Sequence, residues 1–213
     1  MSEIVKVENV TKYFKQEKVL DDVNMNLETG HIYGIVGKNG AGKTVLFKII
    51  AGFIKPSSGK VTVAGKIIGV DRDFPDSLGL IIETPGFLSQ YNAYQNLLYL
   101  ANINNKISKE DIKEAIRMVG LDPDSNKKVG KFSLGMRQRL GIAQAIMENP
   151  NLIILDEPMN ELDKKGIEDV KELLLKLKGD GKTILMASHY AEDMEICDEV
   201  FQMEDGKLGD MKK

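Results

Sequence analysis

The most chemically definite residues in this chain are consecutive: Gly37-Lys38-Asn39-Gly40-Ala41-Gly42-Lys43-Thr44. They satisfy G-x-x-x-x-G-K-[ST] in full, and the physics of that pattern is phosphate binding. Glycines let the backbone curl until successive N–H groups converge on phosphate oxygens, and a helix that follows adds the positive end of its dipole. Lys43 has the reach for the β- and γ-phosphates of a nucleoside triphosphate, and the Thr44 hydroxyl is an oxygen ligand for Mg²⁺. A second group lies far downstream, where Leu152-Ile153-Ile154-Leu155 runs into Asp156-Glu157. A buried strand ending in a carboxylate delivers Asp156 to a cation beside the phosphate loop. Glu157, one residue on, is placed to polarise a water as general base. An acidic pair at a strand end is often only a solvated terminus, and it is the phosphate loop that turns the reading toward chemistry. The nearest approach to a guanine-reading N-K-x-D is Asn105-Lys106-Ile107-Ser108, which lacks the acid and reads as a polar loop.

These groups need elements to hold them. Ile32–Val36 is a short apolar run of the kind a buried parallel strand requires, and it stands directly before the glycines. Val45, Leu46, Ile49 and Ile50 follow at helical spacing, which completes strand, loop and helix. Upstream, Ile4, Val5, Val7 and Val10 alternate loosely with Lys6 and Glu8 as a strand with one wet face. Val19, Val23, Met25 and Leu27 suggest another. Pro56-Ser57-Ser58-Gly59 marks a turn before a strand at Val61–Val63. From about Ala93 to Gly120 the pattern is helical, with Ile112, Ala115, Ile116 and Val119 on one face, Ser108 as N-cap and Gly120 as stop. Leu152–Leu155 and Thr183–Ala187 read as further buried strands, with a helical face of Val170, Leu173, Leu174 and Leu177 between them. Strand–helix alternation at both ends, around a helical block, predicts an α/β core carrying a helical insertion.

Composition sets the outer limits. A length of 213 residues makes one large domain or two small ones, and 42% hydrophobic with 29% charged residues is ordinary for a globular chain. The balance of 29 basic against 32 acidic residues gives −3, which offers no electrostatic case for a nucleic-acid partner. The single cysteine, Cys197, fits a reducing compartment, and one cysteine with two histidines is too few for a structural zinc site. Apolar runs such as Leu152–Leu155 fall far short of the roughly 20 residues that cross a bilayer. Met1-Ser2-Glu3 does not open like a signal peptide either. Any membrane role is therefore expected to be borrowed from a partner.

From Val5 to about Leu208 the chain resembles the ATP-binding subunit of ABC transporters, through five motifs in order. The phosphate loop is followed by Phe132-Ser133-Leu134-Gly135-Met136, which looks like the L-S-G-G-Q signature, with Arg137-Gln138-Arg139-Leu140 after it. Then come Asp156-Glu157, Asn160-Glu161-Leu162-Asp163 as the D-loop, and Ser188-His189 as the switch histidine. The resemblance implies an α/β fold: a P-loop NTPase RecA-like core with a mixed, parallel sheet, an antiparallel β subdomain near the N-terminus and an inserted helical signature subdomain. It implies a single ABC ATPase domain over 1–213, with core and β subdomain at about 1–84 and 150–213 and the helical subdomain at about 85–149.

The resemblance also implies a head-to-tail dimer with two ATP molecules, each between the phosphate loop of one subunit and the signature of the other. On that scheme Gly37, Lys38, Asn39, Gly40, Ala41, Gly42, Lys43 and Thr44 bind ATP, as do Ser133, Gly135 and Asp163. Mg²⁺ falls to Thr44, Glu83 and Asp156. Glu157 and His189 are the catalytic pair, whereas the second histidine, His31, reads as structural. Ser133 before a helix can equally be a plain N-cap. Phe14 aligns with the aromatic that stacks on adenine, with Tyr13 beside it; a core aromatic is the alternative.

Three departures stand out: Leu134 where Gly is usual, Met136 where Gln is usual, and Glu83 in Ile82-Glu83-Thr84-Pro85-Gly86-Phe87 where the Q-loop has glutamine. A glutamate still offers oxygen to a cation but donates no amide hydrogen bond. The signature and the Glu83 segment resemble the branch associated with bacterial export of antimicrobial peptides, as in bacitracin resistance and lantibiotic immunity.

The implied function is ATP hydrolysis that powers a separate membrane-spanning permease subunit. A second ATPase subunit, identical or closely related, completes the assembly at the cytoplasmic face of the membrane. Phe87, Tyr91, Tyr94, Leu97, Leu98 and Tyr99 fall where the family docks its permease, although Tyr94, Leu97 and Leu98 also have the spacing of a core face. The alternative is a soluble ABC-type clamp or regulator acting without a transporter. Clamps usually carry two tandem ATPase domains or a long coiled-coil insertion, for which 213 residues leave no room. A regulator that holds ATP without turnover is disfavoured by the presence of Glu157 and His189.

Overall fold

Two long strands begin the fold, β1 (Glu3–Phe14) and β2 (Glu17–Glu28), paired as an antiparallel hairpin. The computed structural model describes residues 2–83 and 86–210. Strand β3 (Ile32–Val36) runs through the glycines into helix α1 (Lys43–Ile50). After it come β4 (Ser58–Val63), β5 (Lys66–Ile67) and β6 (Leu78–Ile81). Three helices follow, α2 (Ala93–Asn104), α3 (Lys109–Met118) and α4 (Leu134–Ile146). The chain then alternates through β7 (Leu152–Asp156), α5 (Lys164–Gly179) and β8 (Thr183–Ser188), and ends in the hairpin β9 (Glu199–Glu204) and β10 (Lys207–Asp210).

The strands form two sheets. One is antiparallel, in the order β2-β1-β4-β5; the other has the order β10-β9-β3-β8-β7-β6 and is parallel except for β10. The apolar runs are continuous because the second sheet is covered on both faces. Ile32, Val36, Ile153, Leu155, Ile184 and Met186 face the core shared with α2, α3, α4 and α5. Their neighbours Tyr33, Ile35, Leu152, Ile154, Leu185 and Ala187 face a second core, made with α1 and the antiparallel sheet. Strand alternation thus divides each run between two cores, and the α/β architecture expected from the sequence is the one observed.

The details differ in three places. The helical stretch from Ala93 breaks into two helices where Asn105 turns left-handed, with φ 52°. Ser108 caps the second: its hydroxyl accepts from the Asp111 N–H, and the Asp111 carboxylate accepts from the Ser108 N–H. Ser58 and Gly59 belong to β4 rather than to the turn before it. Strands β5, β6, β9 and β10 had no expectation attached to them. The expected subdomain boundary near 84 and 85 lies outside the described residues, as do Thr84 and Pro85 of the Glu83 segment.

Candidate functional site

The parallel strands deliver chemistry at their carboxyl ends. β8 lies between β3 and β7, so the loops after β3, β7 and β8 emerge side by side. The first is the phosphate loop, tied to its neighbour where the Gly37 N–H donates to the Ser188 carbonyl at 3.2 Å. Side chains are excluded at its two ends. A Cβ on Gly37 would lie 2.4 Å from the Met203 carbonyl oxygen, and Gly42 combines φ 111° with contact against Leu20 and Val19. Gly42 is also the N-cap of α1, with no side chain to cap the helix. The helix N-terminus is therefore open toward a groove of about 390 Å³ lined by Val19, the residues from Asn39 to Val45, Asp156 and Glu157.

Lys43 is buried and folds back over the loop, donating to the Gly37 carbonyl at 2.6 Å and the Lys38 carbonyl at 3.2 Å. Its Nζ is also 3.6 Å from Glu157 Oε1. Thr44 Oγ1 donates to Asp156 Oδ2 at 2.6 Å. Burial pushes the Asp156 carboxyl above its ordinary range, and the charges of Glu157 and Glu83 add to this. The Thr44 hydrogen bond and the Lys43 charge oppose them. A hydroxyl and a half-starved carboxylate, side by side at a helix start, are hard oxygen donors of the type Mg²⁺ takes, so the residues present fit that ion.

Glu157 has φ 52°, a left-handed conformation unusual for a residue with a Cβ. Its backbone is held on both sides: its N–H donates to the Ala187 carbonyl, and its carbonyl accepts from Gln138 Nε2 at 3.1 Å. The turned backbone aims the carboxylate across to the end of β8, where Glu157 Oε2 lies 2.8 Å from His189 Nδ1. The His189 loop is pinned in turn. Ser188 Oγ donates to the buried Asp193 at 2.5 Å and accepts from the Tyr190 N–H. Gly37, Lys38, Asn39, Gly40, Ala41 and His189 also line a second recess of about 520 Å³ next to the groove.

The structure therefore brings together Gly37 to Thr44, Asp156, Glu157 and His189. Among the described residues, no hydrogen bond or ion pair links Ser133, Gly135 or Asp163 to the phosphate loop. Ser133 caps α4, accepting from the Met136 N–H at 3.1 Å, and remains exposed next to Leu134. Asp163 caps α5 by accepting from the Gly166 N–H at 2.9 Å. The signature and D-loop meet each other instead, since a Cβ on Gly135 would stand 2.8 Å from the Glu161 carbonyl oxygen. Phe14 is exposed at the end of β1 with Lys12 Nζ 5.0 Å from its ring, and Tyr13 beside it is exposed as well. Glu83 accepts from Lys48 Nζ at 2.6 Å. His31 Nδ1 lies 3.0 Å from the Thr29 carbonyl. In the helical block Leu97 is fully buried, Phe87, Tyr94 and Leu98 pack against the core, and Tyr99 is exposed.

Sequence reasoning did not single out Gln138, Asp193 or Lys48. Gln138 lay inside the quoted signature segment and could have been found by asking which face of the new helix turns toward Glu157.

Comparison with known proteins gives a consistent result. Residues 20–160 match the family described as ABC transporter. The ABC transporter ATP-binding protein YybJ of Bacillus subtilis is 44% identical over 211 residues, covering 99% of this chain and 97% of the relative. The bacitracin transport ATP-binding protein BcrA of Bacillus licheniformis is 41% identical over 211 residues, covering 98% of this chain and 69% of its own length. Among solved structures, a dimeric ATP-binding cassette in a post-hydrolysis state, bound to ADP and Pi, superposes with a TM-score of 0.88 at 26% identity. That match covers 99% of this chain and 100% of the cassette.

Proposed function

Since this chain belongs to the ABC transporter family, as an ATP-hydrolysing subunit, we propose that its nucleotide site works through the residues gathered at the ends of β3, β7 and β8. The observation that carries this reading is the pair of contacts Thr44–Asp156 at 2.6 Å and Glu157–His189 at 2.8 Å beside one phosphate loop. Backbone N–H groups of the loop and the N-terminus of α1 take the phosphates. Lys43 exchanges its present bonds to the loop carbonyls for phosphate oxygens. Thr44, Asp156 and Glu83 would hold Mg²⁺, which when bound neutralises phosphate charge and helps orient the γ-phosphate. Glu157 accepts a proton from the attacking water as the new P–O bond forms and the bond to the β-phosphate oxygen breaks, releasing ADP and phosphate. His189 keeps the Glu157 carboxylate aimed during that step. Phe14 stacks on adenine.

Ser133 and Gly135 serve the nucleotide of a second ATPase subunit, and Asp163 acts at the same junction. Closing and reopening of that dimer drives a membrane-spanning permease, which holds this subunit at the cytoplasmic face of the membrane; no helix among the described residues is long and apolar enough to cross a membrane. The likeness to BcrA, together with the signature and Glu83 segments, supports export of an antimicrobial peptide or similar compound. Phosphate release by wild type, Lys43→Ala and Glu157→Gln tests the site. Loss of nucleotide affinity in the first variant, and retained affinity without turnover in the second, is expected. Unimpaired turnover in Glu157→Gln would overturn the assignment of the base.

A further inference from the structure

Glu83 stands two residues beyond β6, with φ 60°, and its Oε1 is held by Lys48 Nζ. Lys48 lies on α1 four residues after Thr44, so the two side chains share one face of that helix, roughly 5–6 Å apart at their Cβ atoms. Thr44 binds Asp156, and the charge of Glu83 also reaches Asp156, helping to lift that carboxyl above its ordinary range. The Glu83 carboxylate is thus within electrostatic reach of Asp156 while it is paired with an ammonium group that springs from α1 one helical turn beyond Thr44. A glutamine here would present a neutral amide, with no charge for Lys48 to hold.

Resting on the reading that Thr44, Asp156 and Glu83 take Mg²⁺, we propose that Lys48 is a positioning residue that competes with the cation for the Glu83 carboxylate. The ion pair sets how readily Glu83 turns toward bound metal–nucleotide. The pair is suited to exchange rather than to locking. The Glu83 side chain is 66% exposed, so water assists its release, while Lys48, at 27%, stays anchored along its helix.

The test is Mn²⁺ binding, followed by EPR, to the full chain saturated with a non-hydrolysable ATP analogue. Lys48→Met is expected to tighten Mn²⁺ binding by about two- to fivefold, the range of a partly exposed ion pair. Lys48→Arg, which keeps the pair, stays near wild type, and Lys48→Gln serves where the Met variant fails to fold. In a Glu83→Gln background the difference between Lys48 and Met vanishes. An unchanged affinity in Lys48→Met overturns the proposal. So does an equal gain in the Glu83→Gln background, because a mere loss of positive charge would then be the cause. Thr44→Val separates the two layers of the argument: if it leaves Mn²⁺ affinity intact, the metal-site reading fails instead.

Discussion

At Asp156 two demands oppose each other. Burial and the neighbouring carboxylates disfavour its charge, while the proposed role of holding a cation would require it. Its folded-state pKa is raised, so its contribution to stability is full below the ordinary carboxylate range and is lost as pH rises through the folded value. Asp156→Asn is therefore expected to raise the melting temperature of the nucleotide-free protein at neutral pH. The gap should close as the melts are repeated toward acid, and metal-dependent turnover should be lost. His189→Ala leaves Glu157 without the ring that holds it, and kcat should fall by about 10²–10⁴-fold with little change in nucleotide affinity, as single-turnover and binding measurements can separate. Burial pushes the Cys197 thiol up to about 12, so iodoacetamide at mildly alkaline pH should modify it only once the protein unfolds. The grouping of these residues was legible in the sequence, because the phosphate-loop pattern and Asp156-Glu157 are recognisable by their spacing, and the fold brings the two together. Gln138 and Lys48 were not, since each acts through a contact set by how a helix packs: Gln138 by meeting the Glu157 carbonyl, Lys48 by meeting Glu83.

Among the elements, legibility followed burial. Strands β3, β7 and β8 are buried throughout and appear as unbroken apolar runs. Strand β9 buries Phe201 and Met203 between exposed polar residues, and β6 has four residues, one of them glycine, so neither stands out from a loop. Yet β6 is packed tightly. A Cβ on Gly79 would fall 2.0 Å from the Ala145 carbonyl oxygen of α4, a backbone atom that cannot turn aside. Gly79→Ala should therefore push the signature helix off the sheet. The expected loss is about 1–3 kcal/mol, or several degrees in melting temperature, by differential scanning calorimetry. Leu140→Ala, on the buried side of the same helix, should lose about 2–5 kcal/mol through a cavity instead.

For the molecule as a whole, one feature of the signature matters most: Ser133 and Leu134 are exposed, on a helix that makes no hydrogen bond to the phosphate loop among the described residues. Glu157→Gln should show an ATP-dependent shift from monomer to dimer by light scattering, with no shift in ADP; a monomer under both conditions would point to a different chain as the second subunit. Another feature links distant parts of the chain. The Gly206 N–H donates to the Ala41 carbonyl at 3.1 Å, the Gly206 carbonyl accepts from Asp21, and β9 pairs along β3. The loop at residues 37–44 is thus backed by a strand far downstream in the sequence, whose Met203 carbonyl stands against Gly37. A chain cut before β9 would keep residues 37–44 and lose both the Met203 carbonyl beside Gly37 and the Gly206 N–H that holds the Ala41 carbonyl. The shape of the loop therefore rests on contacts remote in sequence, so loosening the β9–β10 hairpin would disturb it without touching any of its own residues.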